Sequence, residues 1–418
     1  MSWSDIFDTE SFSVGIGEES ALGTEQSSLE WIDCEFIGVT YDAGQTDAKR
    51  SRRSRGAGTR RLSGRVWPRL AIRFPLHGQA SGYAYGSSTP AFGGAMRLLN
   101  RLGGTAALAY QAAGITPSTG NAVTTVTSPS KAGCLLAARD TSDGLVRGMG
   151  FAKAAVTGAC SLFEDMAAQP GAGSGRLASL TIFPSSTQPA SLTVRTTGES
   201  ANQDRRYLGC VVSKIVLEPP DRDGRLYGRA ELIAYGGELR QTSGGLQAVT
   251  EYLPLEPALA RGGARVVLGS NVFTTLNDAT VDPDGSCDVR DIELTIDIPH
   301  YVAPCPARAQ GVASVTALSP MIAATFTVPD IPDFEVSSEQ FAEKAWRDLT
   351  DCSLSVYMGD TPGQIFAWNI PRGIPTVFPE PVIVDRVLHR RIGLEAGNYT
   401  GDSASTDAGN KVLREAVA

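Results

Sequence analysis

Apolar and polar residues alternate with a period of two along much of this chain. In 62–76, Val66, Leu70, Ile72, Phe74 and Leu76 fall on one face. Arg65, Trp67, Arg69 and Arg73 fall on the other. That pattern predicts a half-buried strand, and Pro68 and Pro75 predict an edge or a bend in it. The cleanest alternation is 291–299, where Ile292, Leu294, Ile296 and Ile298 interleave with Asp291, Glu293, Thr295 and Asp297. Leu208, Cys210, Val212 and Val216 alternate with Val211, Ser213, Ile215 and Leu217. The turn PPDRDG (219–224) then predicts a hairpin returning over 226–235. Further strands are expected over 30–40, 180–183, 192–195, 321–328, 352–358, 364–370 and 381–388, with turns at 184–189 and 359–363.

Two stretches carry a helical period instead. Thr89 and Pro90 look like an N-cap and a first helical residue, followed by Phe92, Met96, Leu99 and Leu102 and ended by Gly103. Ser337 and Gln340 form a capping box ahead of Phe341, Ala345 and Leu349, with Ala342 and Trp346 beside them, predicting a helix over 338–349. Residues 104–175, rich in Ala, Gly, Ser and Thr, show no clear period. The first thirty residues read as a polar arm and those after 395 as a loose tail.

Composition adds limits. The chain has 418 residues, 42% hydrophobic and 20% charged, which is too apolar for a disordered chain. No run approaches the ~20 apolar residues of a membrane helix. Forty-five Gly and 24 Pro point to many short strands joined by turns. The seven Cys are odd in number and spread without a CxxC pair, so buried thiols are expected rather than a disulfide framework. The first residues lack a basic and then apolar run, so no secretory signal is read and assembly in a cytoplasm is expected. The net charge of −8 hides an asymmetry. Residues 1–35 carry nine acids and no Lys or Arg, while 49–61 carry seven basic residues and no acid. An acidic body does not hold nucleic acid, and only the basic run is suited to it.

Catalytic chemistry finds few candidates. The three histidines, His77, His300 and His389, share no context, and no GxSxG elbow, HExxH, Walker A or strand-led GxGxxG occurs. In 282–293, Asp282, Asp284, Ser286 and Glu293 fall at calcium-loop positions 1, 3, 5 and 12. Cys287 stands where that loop needs Gly, so a hairpin turn is expected instead. No catalytic residue, metal ligand or cofactor is assigned. The basic run, with Arg50, Arg52, Arg53, Arg55, Arg60 and Arg61, is open to three readings. It binds nucleic acid, it is a solvated loop, or it meets the acidic block (Glu18 and Glu19 among it) of another copy head to tail.

The block 205–236 resembles a segment of the tail tube proteins of long-tailed bacteriophages. In that family a Y-x-G-C-x-V strand leads through S-x-x-L to a turn and a returning strand that ends in Gly. Tyr207, Gly209, Cys210, Val212, Ser213 and Gly236 match it, with Leu217 one residue beyond the S-x-x-L spacing. The run 288–298 and the strand, helix, strand–turn–strand order of 321–373 are similar to later parts of the same family. The resemblance covers about 200 of the 418 residues. It implies a mainly β chain with a few short helices, a sandwich or barrel-like tube fold that completes a β-barrel through oligomerisation. It implies hexameric rings, or trimeric pseudo-hexameric ones, stacked around a tape-measure protein. Tail terminator and distal tail proteins would be further partners, with DNA only in transit and no membrane. The location would be the virion.

The chain is longer than simple members, and 178–198 resembles 352–373, so a tandem duplication of the fold stays open. The organisation expected is an arm (1–30), a first tube-like domain (31–250), a second domain or half (251–395) and a tail (396–418). A conduit for DNA is best lined by acids, which makes Asp291, Glu293 and Asp297 the candidates for the lumen. A phage baseplate or host-binding β protein, or a cytoplasmic hydrolase, are the competing readings.

Overall fold

The computed structural model describes 12–32, 34–48 and 60–76, most of 189–240, 290–329 and 350–399, the strand Leu413–Val417 and shorter pieces between them. The chain is mainly β, as expected, and every ladder among the described residues is antiparallel. Most strands belong to one large sheet organised around Arg205–Leu217.

That central strand runs its whole length against Tyr227–Arg240, from Arg205↔Arg240 to Leu217↔Gly228. Its other edge is shared. The first half pairs with Leu192–Gly198 and the second with Arg290–Asp297. From Leu192–Gly198 the sheet continues to Phe12–Glu18 and Glu30–Ile32, and from Tyr227–Arg240 to Arg60–Pro75 and Glu35–Ala48. From Arg290–Asp297 it continues through Met321–Pro329 and Val387–Ala396 to Phe366–Pro375. There a second limb begins. Phe366–Pro375 pairs with Cys352–Met358, which leads to Ala264–Leu268 and Asn271–Thr274. It also pairs with Leu413–Val417, which leads to Ser179–Phe183 and Thr105–Leu108.

Both limbs bury side chains in one continuous core. Val14, Ile16, Leu70, Ile72, Phe74, Cys210, Ile215 and Leu294 meet Phe326, Leu354, Phe366, Trp368 and Leu413 there. A second layer explains why 365–370 lacks alternation. The small sheet containing Leu135–Arg139 and Val146–Phe151 has Leu135, Leu136 and Phe151 buried, and Phe151 lies 5.8 Å from Tyr357. Cys352–Met358 and Phe366–Pro375 are therefore buried on both faces. A hairpin, His300–Pro304 with Val312–Ala317, folds over the other face and packs Val302, Val312 and Val315 on Ile233, Tyr235 and Trp67.

Several expectations need correction. The strand carrying Pro68 and Pro75 is not an edge. Its pairing with Tyr227–Arg240 spans only Arg69 to Pro75, so one proline stands just before that ladder and the other ends it. The face expected for 216 and 217 is reversed. Register shifts at Leu208/Cys210 and Val212/Lys214 put Tyr207, Cys210, Val212, Ile215 and Leu217 in the core together. The arm is shorter than thirty residues, because Phe12–Glu18 is a strand of the main sheet. The tail is not loose at its end, because Leu413–Val417 lies between two strands.

The expected hairpin 180–195 does not form. Ser179–Phe183 pairs with Leu413–Val417, and Leu192–Gly198 with Phe12–Glu18, whereas 352–375 is a true hairpin. The two segments that suggested a duplication are thus not alike. The sheet also crosses the boundary expected at 250, through the pairing of Arg205–Leu217 with Arg290–Asp297. Of the helix expected over 338–349, Glu343, Trp346 and Arg347 are helical. Gln340 instead sits in a short ladder opposite Glu335, so the helix starts after the proposed capping box. The helix expected at 90–102 lies outside the described residues.

Candidate assembly surface

The strand Arg290–Asp297 alternates as its sequence requires. Ile292, Leu294, Ile296 and Ile298 are buried, Asp291 is exposed, and Glu293, Thr295 and Asp297 are half-buried on the face away from the core. Asp291 has a φ of 53° at a register shift between Arg290 and Glu293, a bulge that bends the strand at its start. Thr295 Oγ1 donates to Glu293 Oε1 at 3.2 Å, and Lys214 Nζ stands 4.0 Å from Asp297 Oδ1. Opposed residues in antiparallel ladders share a face, so Val216, Arg229 and Arg73 continue the row that starts at Thr295. Arg73 Nε donates to Glu218 at 2.8 Å, and its guanidinium lies 3.8 Å over the Tyr227 ring. The three acids thus share one strand and one face, but the neighbouring strands bring Lys214, Arg229 and Arg73 alongside. The face carries both signs.

The charged blocks are placed differently from one another. Glu18 is exposed. Glu19 is 5% exposed and points inward, where it accepts four hydrogen bonds. Gly23 N–H and Ser191 Oγ donate to Oε2 at 2.8 and 2.7 Å, and Gly209 N–H and Thr193 Oγ1 donate to Oε1 at 2.8 and 3.0 Å. A carboxylate held in this way is an internal clasp, so Glu19 is withdrawn as an inter-subunit candidate. Arg50, Arg52, Arg53 and Arg55 lie outside the described residues. Arg60 and Arg61 begin a strand opposite Ala48 and Asp47, with only their backbone described.

The clasp gives the Tyr207–Gly209–Cys210 motif a physical reason. Gly209 has a φ of +60°, and a Cβ there would stand 2.8 Å from Gly236 N. The last glycine of the motif is tight as well, since a Cβ on Gly236 would be 2.7 Å from Leu208 C and O. Glycine at both positions allows the bulge that presents the Gly209 N–H to Glu19.

Open edges are what the sequence left unmarked. Glu35–Ala48 pairs only with Arg60–Pro75, and Glu380–Val384 only with Val387–Ala396, among the described residues. Both ladders expose apolar side chains: Ile37 and Tyr41 on the first, Ile383 and its cross-strand partner Leu388 on the second. The Tyr41 hydroxyl donates to Glu238 Oε2 at 2.8 Å, and burial and then that bond raise its pKa. The signal available was the alternation itself, which gives two faces but not which one a neighbour covers.

Of the described thiols, Cys210 and Cys352 are buried as expected, while Cys34 and Cys305 are half-buried. Burial pushes the Cys352 thiol up to about 12, and burial together with the Glu19 charge raises that of Cys210 well above its ordinary value. Burial lowers the pKa of His300, His389 is buried, and His77 lies outside the described residues. The 282–289 part of the loop tested for calcium is likewise outside them, while Asp291 and Glu293 sit in a strand. Among the described residues no three His, Cys, Asp or Glu side chains converge as metal ligands. No described helix is long and apolar enough to cross a membrane. No protein-family model matches the chain, and no curated protein matches it in sequence.

Proposed function

We propose that this chain is a structural subunit that associates with its own copies through sheet edges, as the tail tube subunit of a long-tailed phage. In this reading the rings are hexameric or trimeric, stack around a tape-measure protein and conduct DNA. Tail terminator and distal tail proteins bound the stack, and neither catalysis nor a cofactor is involved. The observation that carries it is the pair of strands, Glu35–Ala48 and Glu380–Val384, that pair on one side only among the described residues and expose Ile37, Tyr41 and Ile383. Such edges invite another strand and are normally blunted in a solitary protein. Asp291, Glu293 and Asp297 line the bore in this reading, with Lys214 and Arg73 moderating their charge.

Negative-stain microscopy and sizing of the purified chain provide the test. Hollow rings or tubes of uniform bore are expected. A monomer that persists as concentration rises excludes the reading.

A further inference from the structure

We infer that residues 1–11 of one copy dock on the hairpin Glu380–Val384/Val387–Ala396 of the next, making a head-to-tail contact. The inference rests on the self-assembly reading above and names a surface for it.

The hairpin tip is apolar and bare. Ile383 is 77% exposed and Leu388 45%, and the two are cross-strand partners on one face. Phe378, in the segment leading into the hairpin, is also exposed and lies 5.1 Å edge-on to Trp346. The charges around the tip lean basic. Arg386 is exposed at the turn with a φ of 72°, and Arg391 is exposed further along, opposite the exposed Glu380. Arg390 is already satisfied by Glu343 at 2.7 Å. The segment 1–11 has the complementary composition: Trp3, Ile6 and Phe7 beside Asp5, Asp8 and Glu10, with no Lys or Arg.

Register places the two at opposite ends of the sheet. Phe12 stands opposite Gly198, beyond the start of the central strand, where Thr196 meets Arg205. The hairpin lies past the other end. Lys214 meets Asp297, Asp297 meets Met321, and Pro329 meets His389, with the tip further on. That path is about twenty strand residues, on the order of 60 Å at ~3.3 Å each. An extended segment of eleven residues spans at most ~40 Å. That path along the sheet is longer than the segment, and the recipient in this inference is a second copy. A contact joining opposite ends of like molecules is heterologous, so it closes a ring or propagates.

Two full-length variants test this. One replaces the arm's apolar residues (Trp3→Ser, Ile6→Ser, Phe7→Ser). The other charges the tip (Ile383→Asp, Leu388→Asp). Ile383 and Leu388 are exposed, and equal melting of both variants and parent checks that folding is kept. Each alone is expected to raise the concentration for assembly about tenfold or more, as loss of apolar anchors does. Mixed one to one, they are expected to form heterodimers through the one intact arm and tip, and to grow less than the parent. If the parent assembles and both variants assemble equally well, arm docking is overturned while self-assembly stands. If the parent stays monomeric, the self-assembly reading falls. A labelled peptide of residues 1–11 then decides the surface. Binding to the chain that is lost in the Ile383→Asp, Leu388→Asp variant supports it, and no binding overturns it.

Discussion

Glu19 shows how one side chain can hold several elements. Its carboxylate joins the turn after Phe12–Glu18, the start of Leu192–Gly198 and the bulge at Gly209. Glu19→Ala leaves one buried hydroxyl (Thr193), one half-buried hydroxyl (Ser191) and two N–H groups without that acceptor, and a loss of about 3 kcal/mol is expected in urea unfolding. Gly209→Ala adds a Cβ 2.8 Å from Gly236 N at a φ of +60°, and about 2 kcal/mol of destabilisation is expected in the same assay. Glu415 is the opposite case. It stands opposite Trp368 on the core face, fully buried, and neither oxygen has a hydrogen-bond partner among the described residues. Burial raises its pKa from 4.5 to about 8, so the folded chain keeps it protonated at neutral pH. The folded state then binds a proton that the unfolded state releases above ~4.5. Its contribution is complete below that pH and is lost as pH rises through about 8. Glu415→Gln should flatten this dependence, with a gain over the parent of a few kcal/mol by pH 9 and little at pH 4. Melting temperatures that fall in parallel from pH 5 to pH 9 for both chains would count against it.

At the scale of elements, what the chain reveals depends on whether a strand has one buried face or two. Leu70, Ile72 and Phe74, like Leu294 and Ile296, face the core as their alternation predicts, because solvent or a thin cover lies on the other side. The bulges in Arg205–Leu217 were not legible, since a residue inserted by a φ of +60° at Gly209 shifts the face without changing composition. The C-terminal strand was missed for another reason. Arg414 and Glu415 give it a polar look, yet both are buried between Phe366–Pro375 and Ser179–Phe183. Sequence-local cues cannot see a partner more than 200 residues away. The candidate site divides in the same way. The acidic face of Arg290–Asp297 was readable from its period, but the inward turn of Glu19 was set by partners more than 170 residues away, and the period of the edge strands does not say which edge stays bare. The C-terminal strand also carries a prediction. Deleting 412–418 strips a ladder from both neighbours and removes Leu413 from the core, so the shortened chain is expected in the insoluble fraction. Recovery of soluble chain with parental circular dichroism would show the strand to be dispensable.

Across the whole molecule, charge and topology bear on assembly separately. The large sheet has a direction: residues 1–11 precede one end of it and the Ile383–Leu388 tip stands at the other. Glu35–Ala48 and Arg60–Pro75 stay paired out to Ala48↔Arg60, beyond the Arg69–Pro75 stretch that Tyr227–Arg240 covers. In sequence the basic run joins these two strands, whose ladder runs beyond the Tyr227–Arg240 pairing among the described residues. With Glu19 internal and 12–18 within the sheet, the acids left to meet that run are fewer than the nine of 1–35 suggest. Opposite charges that meet in water act chiefly through screened, salt-dependent attraction. Reversing Arg50, Arg52, Arg53 and Arg55 to Glu should therefore weaken stacking of rings at low salt and change little at 0.5 M. The sheet-edge contacts within a ring should persist in both. Analytical ultracentrifugation at two ionic strengths separates the two levels. A variant that still stacks like the parent at low salt removes the basic run from the stacking contact and leaves the apolar edges to hold the assembly. Rings that themselves fall apart would show instead that the run belongs to the lateral interface.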